Sequence, residues 1–305
     1  MASGVQAVKV AFFVNLGIFI VKLAAALVTR SAGMLAEAVH SFADTGNQVL
    51  LLLGYKRSQK TADEDHPFGY GKEEYFWSFI VAILLFALGG VYSVYEGVHK
   101  LLHPEELKHL YINFAILGVA VAAEGYSWWV ARQAIGGSSV SQIYDELVES
   151  KDAGKVVVFV EDTGAMIGLG VALLGNLLAF LTHNPMYDAL SSIIIGLLLF
   201  ALTYFLANEM RKLIIGERID GRQLSIAVRI IAEHPHVKAV GQIKSMQLGS
   251  GECIIAAYID FEDTLRDAEL ELTMNSLRSD IQSKVPSAKH VYLQLCNNGS
   301  CVELA

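Results

Sequence analysis

Basic charge is scarce in this chain. It has 23 Lys and Arg against 31 Asp and Glu in 305 residues, a formal net charge of -8. That balance excludes a nucleic-acid-binding role, which calls for basic patches. Cysteine is rarer still: the three, Cys253, Cys296 and Cys301, all lie near the C-terminal end. If that end is cytosolic the thiols are reduced by default, and Cys296 with Cys301 is at most a metal or disulfide pair. The N-terminus lacks the basic start and short apolar core of a cleavable signal. Gly136-Gly-Ser-Ser139 is not followed by Gly-Lys-Ser/Thr, so it reads as a joint and not as a phosphate loop.

Hydrophobic residues, by contrast, make up 53% of the chain, and mean hydropathy is +0.43. The excess is gathered in runs of about 20 residues, the length that crosses a bilayer. Six spans are expected, near residues 8–28, 35–54, 75–98, 112–131, 156–182 and 187–207. Lys56, Arg57, Lys60, Lys72, Arg132, Lys151, Lys155, Arg211, Lys212 and Arg218 fall on one side of them. Arg30, Lys100 and Lys108 fall on the other, so both termini are expected to face the cytosol, or the matrix of an organelle.

From about Gly216 the pattern changes. Leu224, Val228 and Ile231 recur at helical spacing, and Leu270, Met274, Leu277 and Ile281 do so again. Val237–Leu248 and Cys253–Phe261 read as strands, joined by a turn at Gly249-Ser-Gly251, and His290–Cys296 reads as a third. The expected architecture is an α-helical membrane protein: a six-helix bundle over residues 1–210 and a cytosolic αββαβ domain over 211–305. A domain of roughly 85 residues is near the lower limit for an independent core, so support from a twin copy is plausible.

The chemistry lies in two of the apolar runs. On the second span Glu37, His40 and Asp44 are spaced three and four apart, which stacks them on one helix face. On the fifth, Glu161 and Asp162 directly follow the apolar run Val156–Val160. Ionisable groups inside a span cost about 3 kcal/mol each on insertion scales, so they mark function. His and carboxylate are also ligands of divalent transition metals. The small residues Ala36, Ala43 and Gly46, and Gly164 and Gly168 on the fifth span, favour close helix contact. The second and fifth helices are therefore expected to pool His40, Asp44 and Asp162. Glu161 is one candidate for the fourth ligand; Asn47, Asn15, Glu124 or a water are the others. Outside this group, His99, His103 and His109 could gather ions or sense pH, and Trp128 and Trp129 read as interfacial anchors.

Ser31-Ala-Gly-Met-Leu-Ala-Glu-Ala-Val-His40-Ser-Phe-Ala-Asp44-Thr-Gly-Asn47 resembles the second-helix signature of the cation diffusion facilitators, a zinc-transporter family. His66-Pro-Phe-Gly-Tyr-Gly-Lys-Glu-Glu74 resembles the loop that follows it there. Asp188-Ala-Leu-Ser-Ser-Ile-Ile-Ile-Gly196 resembles the family's sixth helix, and the αββαβ tail its ferredoxin-like, metallochaperone-like domain. The resemblance implies proton-coupled export of a divalent cation by a homodimer, with four side chains of the second and fifth helices as the transport site. The metal set carried over is His40, Asp44, Asp162 and Glu161, with no resident cofactor.

The chain departs from the pattern at Val158, where the family often has His four residues before Asp. It looks like a divergent branch with a Glu-Asp pair, related to mitochondrial zinc-transporter-like members. An oxygen-richer site admits Mn²⁺, Fe²⁺, Co²⁺ or Mg²⁺ beside Zn²⁺. In the loop Asp63 and His66 fit an accessory ion site, but Tyr70 takes the second His place; on the tail strands Tyr258 and Gln294 stand where His is expected. The implied location is a bacterial inner membrane, or an organelle membrane if the chain is eukaryotic. A membrane metalloenzyme or a metal sensor using the same buried residues is the rival reading, although no separate nucleophile and base accompany them.

Overall fold

A computed structural model describes residues 2–29, 32–84, 89–103 and 110–296; within these, the side chains at 2–3, 25–26, 28–29, 32–37, 39–40 and 110–117 are not described. The chain divides into two compact units. One comprises Met1–Arg57, Glu74–Val148 and Asp152–Arg211, and the other Ser58–Glu73, Glu149–Lys151 and Lys212–Ala305.

The first unit is helical. Its elements are α1 (Ala2–Thr29), α2 (Ala32–Ser58), α3 (Glu73–Leu84), α4 (Val91–Leu102), α5 (Leu110–Ile135), α6 (Val140–Glu149), α7 (Ala153–Thr182) and α8 (Met186–Ile215). Three described stretches are long and apolar enough to cross a membrane: Gly4–Ala24 in α1, all of α7 and all of α8. They also turn large apolar side chains outward, with Phe13 68%, Leu181 64% and Tyr204 78% exposed. A surface of that kind suits lipid. Polar side chains on α2, including Asp44, Asn47 and Gln48, make it less apolar than these three.

Local chemistry sets the ends of these helices. Asp152 caps α7 by accepting from the Lys155 amide at 3.0 Å, and His183, in the left-handed region at φ 53°, closes its C-terminus. Gly136 and Gly137 take φ of 87° and 73°, and the Arg132 guanidinium donates to both their carbonyl oxygens. The Gly-Gly-Ser-Ser stretch is thus a structured turn that leads into α6, a helix the apolar pattern did not announce.

The expected third span is not one uninterrupted α-helix. A π-helical turn at Gly89 and Gly90 precedes α4, and residues 85–88 lie outside the described residues. The small-residue spacing also serves a different partner from the one expected. A Cβ on Gly164 would meet Leu202 of α8 at 2.5 Å, whereas one on Gly46 would meet nothing within 4 Å. The glycines of α7 seat α8, and among the described residues nothing lies against Gly46.

The second unit holds α9 (Gly221–Ala232), β1 (Val237–Gly249), β2 (Glu252–Phe261), α10 (Asp267–Lys284) and β3 (His290–Leu295). The sheet order is β1-β2-β3, antiparallel between β1 and β2 and parallel between β2 and β3. A parallel pair needs a long crossover, and α10 supplies it. Alternation along β2 sends Cys253, Ile255, Ala257 and Ile259 into a core with Ile231, Leu277 and Ile281. Full burial of such an aliphatic side chain contributes at most about 1.5–3 kcal/mol. Val228 of the expected helical stripe remains 37% exposed, whereas Leu224 packs against that core and Ile231 lies in it.

Candidate metal centre

The acidic pair of α7 is shared between two neighbouring helices. Consecutive helical residues point about 100° apart. Asp162, 2% exposed, accepts a hydrogen bond at Oδ2 from Ser127 Oγ of α5 at 2.7 Å. One residue on, Trp128 Nε1 donates to Thr163 Oγ1 at 3.1 Å, so two successive residues of α5 clasp two of α7. Trp128 is therefore a helix-to-helix contact, while Trp129 is 54% exposed.

Glu161 faces α2. Its Oε1 accepts from Asn47 Nδ2 at 3.1 Å and its Oε2 from Gln48 Nε2 at 3.0 Å. Gln48 Oε1 in turn accepts from Asn15 Nδ2 of α1 at 3.3 Å. Asp44 lies three and four residues before the two amide donors, on the same side of α2. Asp44 and Glu124 of α5 are near enough to Glu161 and Asp162 for their charges to act on both. Acidic side chains of α2, α5 and α7 thus share one electrostatic neighbourhood.

Of the metal set read from the sequence, the structure brings Asp44, Glu161 and Asp162 into this neighbourhood. His40 lies on α2 one turn before Asp44, with its side chain outside the described residues, as is that of Glu37. Among the described residues no three His, Cys, Asp or Glu side chains converge closely enough to hold one ion. The rivals for the fourth position have other engagements: Asn47 donates to Glu161, and Asn15 to Gln48.

Sequence reasoning missed Gln48 and Ser127. Gln48 is fully buried, four residues after Asp44, and Ser127 is 2% exposed, three after Glu124. Polar residues at helical spacing from an intramembrane acid were the signal.

The loop between α2 and α3 has a different arrangement. Lys60 Nζ lies 2.9 Å from Asp63 Oδ2 and 2.7 Å from Tyr70 Oη, and the Tyr70 hydroxyl donates to the same Asp63 oxygen at 2.7 Å. The His66 amide donates to Asp63 Oδ1 at 2.9 Å, and the His66 ring lies against Tyr70. Lys60, with Tyr70, holds the Asp63 carboxyl well below the usual carboxylate range, and Asp63 with Tyr70 pushes the Lys60 pKa up. The chain's own ammonium stands among the groups that were candidates for an accessory ion.

The other candidates are dispersed. His234 and His236 share the α9–β1 loop with rings 5.8 Å apart, and His236 lies 3.6 Å from Glu262. His290 pairs with Glu252 at 3.0 Å. Tyr258 and Gln294 are register neighbours on β2 and β3. Burial pushes the Cys253 thiol up, which suits a core position over a reactive one. Cys296 is buried at the end of β3, and Cys301 lies outside the described residues. His99 and His103 sit exposed with rings 5.0 Å apart, and His109 is outside the described residues.

Residues 8–215 match the model of the cation efflux transmembrane domain. The chain therefore belongs to the cation diffusion facilitator family, a family of membrane transporters and not of enzymes. It is 34% identical over 282 residues to the proton-coupled zinc antiporter SLC30A9, mitochondrial, of Xenopus laevis, covering 90% of this chain and 50% of that protein. It is 31% identical over 259 residues to metal tolerance protein C4 of Arabidopsis thaliana, covering 84% of this chain and 57% of that protein. The magnetosome protein MamB of Magnetospira sp. (strain QH-2) is 25% identical over 290 residues, 93% of this chain and 92% of MamB. The chain spans about half the length of the SLC30A9 proteins it matches.

Proposed function

We propose that this chain exports Zn²⁺, or a similar ion such as Mn²⁺, Fe²⁺ or Co²⁺, from the cytosol in exchange for protons by alternating access. One observation supports the reading: the acidic pair of α7 is divided between its neighbours inside an apolar helical unit, Glu161 bound by α2 at Asn47 and Gln48 and Asp162 by Ser127 of α5. The names of the antiporter relatives support zinc and protons as the exchanged species. The ion-binding set is His40 and Asp44 of α2 with Glu161 and Asp162 of α7. Six spans serve it, α3 and α4 together forming the third, with 1–210 as the transmembrane domain and 211–305 as the cytosolic domain. The working form is a homodimer in a multi-pass arrangement, in a bacterial inner membrane or, in a eukaryote, an organelle membrane.

In the inward-facing state the ion binds neutral His40 and ionised carboxylates. Ligation needs deprotonated groups, so entry of the ion expels protons. Rocking of the helices opens the site outward. Protons from that side displace the ion, chiefly at His40, since imidazole has an intrinsic pKa of about 6.5.

The test is uptake into proteoliposomes with Zn²⁺, Mn²⁺, Fe²⁺, Co²⁺ and Mg²⁺, with and without a pH gradient. Accumulation of Zn²⁺ or another transition ion that grows with an opposing proton gradient is the expected result. Absence of flux for every ion contradicts it.

A further inference from the structure

Glu161 is held by a directed chain of amides that begins on a third helix. Both of its oxygens accept from α2, from Asn47 at 3.1 Å and Gln48 at 3.0 Å. Glu161 Oε2 accepts from the nitrogen of Gln48, so the oxygen of that amide faces away. That oxygen meets Asn15 Nδ2 of α1 at 3.3 Å. The orientation of every amide in the line thus follows from the carboxylate at its end.

The burial of these groups is what makes the chain informative. Gln48 is 0%, Asn15 5% and Asn47 5% exposed. A buried amide left unpaired costs free energy, and a leucine in each place would pack without that cost. Two such amides in series, with Asn47 on the other carboxylate oxygen, therefore have a task beyond packing. Donors aligned in series also polarise one another, which strengthens the last bond, the one to Glu161.

We infer that Gln48, supported by Asn15, is a positioning residue for Glu161, and that α1 thereby takes part in the ion site without supplying a ligand. The amide chain fixes the carboxylate before the ion arrives, so the ion does not bear the entropy of ordering it. This rests on the proposed ion site, in which Glu161 is a ligand. The role is one of affinity: Gln48 and Asn15 lower the KM for the ion and leave the turnover rate, set by helix rocking, nearly unchanged.

A double-mutant cycle on the full chain in proteoliposomes tests it, with Zn²⁺ as the probe. Gln48→Met removes the amide at similar volume, and Asn15→Leu removes its support. Loss of a group that orients a metal ligand typically costs 10–100-fold in affinity. Gln48→Met is expected to raise the KM for Zn²⁺ about 10-fold with little change in maximal rate, and Asn15→Leu less, in the same direction. Asn15→Leu added to Gln48→Met should do nothing more, because the chain is already cut. An unchanged KM in Gln48→Met, or independent multiplying effects, overturns the inference. If Gln48→Met does not fold, Asn15→Leu alone decides it: an unchanged Zn²⁺ KM overturns the inference and a raised one supports it. Zn²⁺ affinity of Asp162→Asn separates the two claims. Tight binding retained there sinks the ion site itself, whereas binding lost there with Gln48 and Asn15 variants unaffected sinks only the positioning role.

Discussion

Asp162 and Asp63 are held in opposite ways. In the helical unit, Asp162 is buried and met by the hydroxyl of Ser127, a neutral donor. In the other unit, Asp63 is open to solvent and met by the Lys60 ammonium. Asp63 is neutralised from within the chain. A hydroxyl orients a carboxylate without cancelling its charge, and the same holds for the amides on Glu161. On the function proposed above, an external cation has something to gain among the carboxylates of α2, α5 and α7, whereas in the α2–α3 loop the Lys60 ammonium already fills that role.

The largest effect expected from breaking this contrast comes from removing charge in the helices. Asp162→Asn, Asp44→Ala or His40→Ala should each reduce Zn²⁺ uptake to the level of protein-free liposomes, and parental rates would refute the assignment. Next in size, Ser127→Ala should weaken Zn²⁺ binding about 10-fold by titration calorimetry, as loss of an orienting partner does. Equal affinity would mean that Asp162 is aimed by something else.

The loop gives smaller and sharper tests. Tyr70→His should leave the number of bound Zn²⁺ per chain, measured by mass spectrometry of metal content, unchanged, because the Lys60 ammonium occupies the middle of the cluster. Only Tyr70→His combined with Lys60→Ala should add an ion. An extra ion in the single variant would contradict the reading.

The smallest effect is a titration. The Asp63 pKa is depressed, so its stabilising contribution is present above the unfolded value of about 3.9 and is lost as pH falls through the much lower folded value. In Lys60→Ala the Asp63 pKa should rise toward the usual carboxylate range by carbon NMR, with the Tyr70 hydroxyl and the His66 amide still holding it below that range. Exposure at this site screens the pair, so little change in overall stability is expected.

Much of this was legible in the sequence, for identifiable reasons. The alternation Ile255, Ala257, Ile259 reports one buried face, and β2 runs where that pattern placed it. Asp44, Glu161 and Asp162 stand out because charge in an apolar run is costly. Gln48 and Ser127 did not stand out, because neutral polar residues are cheap enough in helices to be common. The interruption around Gly89 was hidden because glycine within an apolar run looks like packing. The spacing of Gly164 and Gly168 announced a close approach but not which helix would make it, and it is α8.

X-ray absorption at the zinc edge of the loaded protein tests the central claim most directly. The account predicts one imidazole nitrogen and carboxylate oxygens at ~2.0–2.2 Å, with the signal lost in Asp162→Asn. Sulfur in the coordination shell, or an unchanged spectrum in that variant, would contradict it.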